Sequence, residues 1–150
     1  RKVIANFGMD PLLGKYHRSY CNDCKLITSE QPPVKVCPTC GNPNMVKGVM
    51  DRIVEIRDYE EPHHPTGRPP YYYRVPLRAL PGAGPKTIEK LKKYFDNEIE
   101  ILERADIQVI AKLGGEVVAR QIEQMRSGRM TISPGGGGYY GKVTKDHFKC

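Results

Sequence analysis

The chain has 150 residues, 39% of them hydrophobic, with nine Tyr, three Phe and no Trp, a set that supports small cores and leaves room for one ordinary domain or two small ones. Its formal net charge of +7 suits a nucleic-acid partner, but the excess is spread evenly, with nine basic against seven acidic side chains in residues 1–60 and ten against eight in residues 76–130, so charge alone does not separate a DNA binder from an ordinary basic protein. No apolar run approaches a membrane span and no N-terminal stretch reads as a signal peptide, which argues against membrane and secreted classes and for a cytoplasmic chain.

Residues 1–14 open on Arg1, not Met, and read as a linker from a missing N-terminal domain. Residues 15–58 read as a zinc ribbon with a following helix. Cys21-Asn22-Asp23-Cys24 is followed, after twelve residues, by Cys37-Pro38-Thr39-Cys40-Gly41. Each C-x-x-C turn aims two thiolates at one point, and two such turns complete a tetrahedron around Zn²⁺ at about 2.3 Å. Pro38 fixes φ and Gly41 permits a positive φ, which shapes the second turn. Four thiolates fill the coordination shell, so the zinc is structural. Two disulfides are the competing reading, disfavoured by the spacing and the missing secretory signal. Strands are predicted near 15–20, 24–28, 34–37 and 45–48. His17, His63 and His64 read as surface or packing residues, and Cys150 is given no role.

Residues 49–58 read as a short helix with Val49, Ile53 and Ile56 on one face. Residues 59–75 are Pro- and Tyr-rich and read as an extended linker. Tyr71, Tyr72 and Tyr73 lie beside Arg68 and Arg74 and suit either base stacking or packing of the linker onto a core.

Residues 76–128 carry Leu80-Pro81-Gly82-Ala83-Gly84-Pro85-Lys86-Thr87-Ile88-Glu89-Lys90-Leu91. This run resembles the helix-hairpin-helix motif of DNA repair and replication proteins. Pro81 and the two glycines suit a tight turn, and Pro85 suits the first helical position. The amides of Lys86 and Thr87 then leave the helix N-terminus, which accepts a phosphate oxygen. The DNA phosphate-binding set is Gly82, Ala83, Gly84, Lys86 and Thr87. Secondary DNA contacts are expected from Gly115, Arg68, Tyr71 and Lys90. Ile88, Leu91 and Phe95 form the buried stripe. A weaker copy follows 31 residues on, with Gly115 in the place of Gly84 and with Val118, Ile122 and Met125 as its apolar face. Leu113 stands where Gly82 would be and Val117 where Lys86 would be, so the second hairpin reads as mainly structural. A connector helix is expected around Glu98–Arg104. The fold class is therefore α+β, a small β zinc ribbon followed by an all-α tandem helix-hairpin-helix region and a glycine-rich tail.

That tail, residues 129–150, contains Gly136 to Lys142 in G-x-x-x-x-G-K spacing. It is not a nucleotide-binding loop, because Val143 replaces the Mg²⁺-binding hydroxyl and no strand leads into it within a parallel α/β context.

Gly8-Met9-Asp10-Pro11 with Gly14-Lys15-Tyr16-His17, the two C-x-x-C pairs, Arg68-Pro69-Pro70-Tyr71, the hairpin, and the Gly-Gly-Gly-Gly-Tyr-Tyr-Gly-Lys run occur in this order. Together they resemble the C-terminal part of endonuclease Q, a group of DNA repair endonucleases with an N-terminal polymerase-and-histidinol-phosphatase (PHP) catalytic domain. The resemblance covers nearly the whole chain and suggests an ordered tail. It implies a parent enzyme, a metal-dependent hydrolase, that nicks DNA 5′ of deaminated bases and abasic sites. It assigns one structural Zn²⁺ to the four cysteines and phosphate contact to Gly82, Gly84 and Lys86. It assigns no catalytic residue here, since the catalytic metals belong to the PHP domain. The expected partners are DNA, gripped by its backbone with little sequence preference, and the missing catalytic domain, with no membrane. Two alternatives stand beside it: a non-enzymatic DNA-binding module of a helicase, ligase or other nuclease, and a protein-docking zinc ribbon domain.

Overall fold

The structure is a computed structural model that describes residues 3–144. Among these residues, five α-helices and three two-stranded sheets form an α+β architecture. The chain divides into two compact units. The first is Arg1–Tyr73 with Ser133–Lys142, and the second is Arg74–Ile132 with the residues from Val143 onward. Cys150 lies outside the described residues.

In the first unit, β1 (Asn6–Met9) pairs with β4 (Tyr71–Arg74), so the two segments read as linkers each contribute a strand. Asp10 caps a 3-10 turn at Pro11–Leu13 by accepting the Leu12 amide at 2.9 Å. β2 (Tyr20–Cys21) and β3 (Leu26–Ile27) pair antiparallel with Cys21 opposite Leu26. Val46 adds a bridge on the other side of Tyr20, through reciprocal hydrogen bonds of 2.9 Å. No strand forms at 34–37. The Val34 amide donates instead to the Asp51 carboxylate, and the Cys37 amide to the Asn42 carbonyl at 2.9 Å, so the segment has no ladder to join.

Helix α1 (Val49–Ile56) forms as read but faces the other way. Val49, Ile53 and Ile56 are about half exposed, at 52%, 47% and 58%, whereas Asp51 is only 1% exposed. The cause is a polar clamp. Ser19 Oγ donates to Asp51 at 2.6 Å and accepts the Gly48 amide at 2.7 Å. At Gly48 a Cβ would stand 2.8 Å from Arg18 Cα, so the helix start lies directly on the Arg18–Ser19 backbone. Asp51→Ala would strand the Ser19 hydroxyl and the Val34 amide. We expect a loss of about 2–3 kcal/mol in the stability of this unit, read from its denaturation midpoint. An unchanged midpoint would contradict the clamp.

The second unit packs four helices, α2 (Pro85–Tyr94), α3 (Glu98–Glu103), α4 (Ile107–Gly114) and α5 (Glu116–Arg126). Leu91, Ile101, Ile110, Val118 and Ile122 are at most 1% exposed and form its core, each worth about 1.5–3 kcal/mol of burial. α4 packs on both α2 and α5. It approaches α2 closely because Gly114 has no side chain: a Cβ there would meet Leu91 Cδ1 at 3.3 Å. Arg126 donates to the carbonyls of Leu102 and Ile101, both at 2.9 Å, closing the end of α3. Arg74 forks onto Glu103, with its second nitrogen at 2.8 Å.

Candidate metal centre and helical hairpins

The four cysteines of the first unit converge. Their Sγ atoms all lie within 4.8 Å of one another, with Cys21–Cys40 and Cys24–Cys37 at 3.8 Å. Thiolates bound at about 2.3 Å from a central ion stand about 3.8 Å apart along each tetrahedral edge, the length of these two edges, so the cluster is close enough to share one ion. Cys21 and Cys37 are buried, Cys24 is half-buried and Cys40 is exposed.

The two turns share a backbone device. The residue after each pair is left-handed, Lys25 at φ 55° and Gly41 at φ 71°. Gly41 meets this need without strain, and its amide donates to the Cys37 carbonyl at 2.9 Å. Lys25 does the same work as a non-glycine, which no sequence signal announced. The backbone amide of Cys40, and then that of Thr39, draw the Cys37 thiol down to about 6. Hydrogen bonding to Cys40, with burial, pushes the Cys24 thiol up to about 12. Thiols this crowded share protons, which a metal ion held at the centre would displace.

Among the described residues, no histidine joins the cluster. His17 is half-buried, with its pKa lowered by burial, and His63 stacks against Tyr59 at 4.4 Å.

In the second unit, the segment 80–87 forms a single tight turn into α2. Gly82 is left-handed at φ 86°, and the Ala83 and Gly84 amides donate to Leu80 and Gly82 carbonyls at 3.1 and 3.0 Å. Ala83 is buried, so this residue packs. Pro85 opens the helix. Lys86 and Lys90 are exposed, whereas Thr87 is half-buried and turned toward Gly114. Packing at Thr87 was not legible in the motif.

The helix starts of this unit fall into two kinds. α3 and α4 are capped by side chains: Asn97 accepts the Glu100 amide at 2.8 Å, and Asp106 accepts those of Gln108 and Val109. α2 and α5 begin at Gly84 and Gly115, and no side chain caps either one. The first-turn amides of any helix have no intrahelical partner, and such uncapped starts are the kind that accept an anion. At Gly84 a Cβ would meet nothing within 4 Å, and φ is an ordinary −71°, so the fold itself does not require glycine there.

Arg68 and Tyr71 belong to the first unit. Tyr71 lies across Gly8, its ring 5.2 Å from that of Tyr73, yet remains 48% exposed.

No protein-family profile matches the chain. It is 42% identical over 146 residues to the protein YqxK of Bacillus subtilis, and 41% identical over 158 residues to MJ0043 of Methanocaldococcus jannaschii. It covers only 36% and 20% of these two proteins, so it spans well under half their length. Two solved structures are similar to it. One is the lesion-specific endonuclease PfuEndoQ of Pyrococcus furiosus, with a TM-score of 0.74. The other is an endonuclease Q complex with a 27-mer duplex substrate carrying an abasic lesion at the active site, with a TM-score of 0.73. Each is 35% identical and matches 97% of this chain and 39% of its own. In sequence and in structure, the chain is similar to a part of endonuclease Q.

Proposed function

We propose that this chain is the zinc-stabilised DNA-binding portion of an endonuclease Q-like repair enzyme, C-terminal in its parent, which nicks DNA 5′ of deaminated bases or abasic sites. The chain grips the DNA backbone and does not carry the catalytic centre, which belongs to a PHP domain. Similarity over 97% of the chain to an endonuclease Q held on a DNA duplex is the observation that carries this reading. The convergence of four sulfurs, a donor set that suits zinc, supports zinc as their ion. The uncapped starts of α2 and α5 support residues 76–128 as a tandem helix-hairpin-helix domain, with Gly82, Ala83, Gly84, Lys86 and Thr87 as its phosphate-binding turn.

Hydrolysis of a phosphodiester at a metal centre needs open coordination positions, and usually a clamp of two ions. Among the described residues, the four cysteines are the one group of His, Cys, Asp or Glu whose ligand atoms converge, and four thiolates would close the shell. The contribution of this chain is then positioning, which raises rate without doing chemistry. Incubated with uracil-, hypoxanthine- or abasic-site duplex and Mg²⁺, Mn²⁺ or Zn²⁺, the chain should bind and leave the strands intact. Nicking that disappears on mutating a residue of this chain would overturn the reading.

One observation favours the protein-docking alternative: the exposed Val49, Ile53 and Ile56 face of α1. Absence of duplex binding at low salt, together with capture of a protein surface by that face, would put docking ahead of DNA.

A further inference from the structure

The glycine-rich run is built into the first unit as a fixed loop. The Gly135, Gly138 and Gly141 amides donate to the carbonyls of Leu12, Lys15 and Leu13 at 2.9, 2.9 and 3.1 Å, and Gly135 in turn accepts the Arg18 amide at 2.9 Å. Side chains are excluded by contact: a Cβ on Gly136 would stand 2.7 Å from the Arg18 carbonyl, and one on Gly141 would stand 2.8 Å from that of Ser133. With Gly136 and Tyr139 also exchanging hydrogen bonds of 3.0 Å, most amides of the run are spent inside the molecule. They cannot cradle a phosphate as a nucleotide-binding loop does.

What the loop offers is at its tip. Tyr139 and Tyr140 are 63% and 66% exposed, and Tyr16, on the segment to which the loop is fastened, is 46% exposed. The Tyr139 ring leans on the buried Tyr20 at 5.9 Å, which fixes its direction. Lys15 Nζ stands 5.3 Å from the Tyr16 ring centre and 6.0 Å from that of Tyr140, a cation held between two exposed phenols. Tyr139 and Tyr140 have most of their surface in water, and Tyr16 nearly half. A backbone fastened by hydrogen bonds and glycine contacts presents them in one arrangement, so little entropy remains to be lost when a ligand arrives.

We propose that Lys15, Tyr16, Tyr139 and Tyr140 form a stacking platform for an unpaired nucleotide of a nucleic acid. The aromatic faces take the base, and the Lys15 ammonium takes the adjoining phosphate. The charge and the planar rings both fit this occupant: a base has a π-face whatever its identity, and its phosphate is anionic. A paired base inside a duplex presents no free face, so the platform reads unpairing rather than sequence. This rests on the DNA-binding reading but adds a second contact to it, remote in sequence from the helical turn at Gly84.

The test uses the whole chain and two probes, a fully paired duplex and the same duplex with a single-stranded extension. Tyr16→Leu with Tyr140→Leu keeps apolar bulk and removes the π-faces, and Lys15→Met removes the charge. The wild type should prefer the extended probe by roughly 5- to 150-fold, the range of one stacked base. The double variant should lose that preference while binding the paired duplex as before. Tyrosine emission, which no Trp obscures, should fall on adding a short single-stranded oligonucleotide to the wild type and fall less with the double variant. A double variant with wild-type preference and quenching overturns the platform even if duplex binding stands. If the paired duplex is not bound at all, the hairpin reading fails, and quenching by the single strand still decides the platform. Unchanged zinc content and melting exclude misfolding of the variants.

Discussion

Removing the metal should unfold the first unit and leave the helices of the second in place. Elemental analysis should find about one Zn per chain. Cys37→Ser is the decisive substitution, because Cys37 is buried and its sulfur is held by two backbone amides, those of Cys40 and Thr39. Structural zinc in small domains contributes on the order of 10–16 kcal/mol of apparent binding energy, far more than a core this small supplies by itself. Around the site, β2 and β3 are two residues each and the Cys37–Asn42 turn has no ladder partner, so apart from the Asn42 side-chain amide donating to the Asp23 carboxylate little but a bound metal would join the two C-x-x-C turns. Chelation should therefore abolish the slow amide exchange of residues 15–48. Helical circular dichroism should fall only modestly, since α2 to α5 have their own core. A metal-free protein with an unchanged melting curve would refute this account.

The second large effect is expected at the turn before α2. Gly84→Val combined with Lys86→Glu should reduce duplex affinity by at least tenfold, and should weaken binding and cleavage together in a full-length parent enzyme. The reasoning rests on the open space at Gly84. Because a Cβ there meets nothing within 4 Å and the backbone is extended, valine costs the fold little, at most the few tenths to about 1 kcal/mol of a poorer N-cap. A phosphate approaching the exposed amides, by contrast, meets a branched side chain and a carboxylate. With about two to three phosphates neutralised, log K for the wild type should fall with log salt at a slope of roughly −2 to −3, and the variant should show a shallower one. Measurement of affinity against salt, alongside thermal melting, separates the two effects. Equal affinity in wild type and variant would remove the hairpin from the DNA interface.

Legibility in the sequence followed the range of the interactions. The convergence of the cysteines was readable because each pair acts over four residues and the left-handed position after Cys40 is a glycine. Lys25, in the same conformation, carried no sign, since a lysine is rarely chosen for it. The connector α3 was expected from the likeness to a tandem hairpin, and the Asn97 cap and first-turn acids are the local features that hold its start. α1 was read as a helix correctly, but its inward face was not. Periodicity assigns the apolar stripe to a core, whereas here a buried carboxylate wins through partners 17 and 32 residues away. The β1–β4 pair joins segments separated by most of the first unit, and nothing local marks either as a strand with a partner. Order in the glycine run was suggested by the family resemblance and not by any local signal. What it approaches, the carbonyls of Leu12, Leu13 and Lys15, has no side-chain signature at all.

The discontinuous path of the first unit has a consequence for the order of folding. Its last piece, Ser133–Lys142, arrives only after the whole of Arg74–Ile132 has been made. The cysteine turns can gather their ion early during synthesis, but the glycine loop must wait on a closure spanning about sixty residues. Held as a flexible loop, that intervening chain would cost about 3–4 kcal/mol in lost freedom. Once folded into its own compact helical insertion, it has already given up that freedom, and only the junctions remain to be ordered. Loss of the insertion's own core, at Leu91 or Ile122, would therefore return that closure cost to the tyrosine-bearing loop, although the loop's own contacts are made elsewhere.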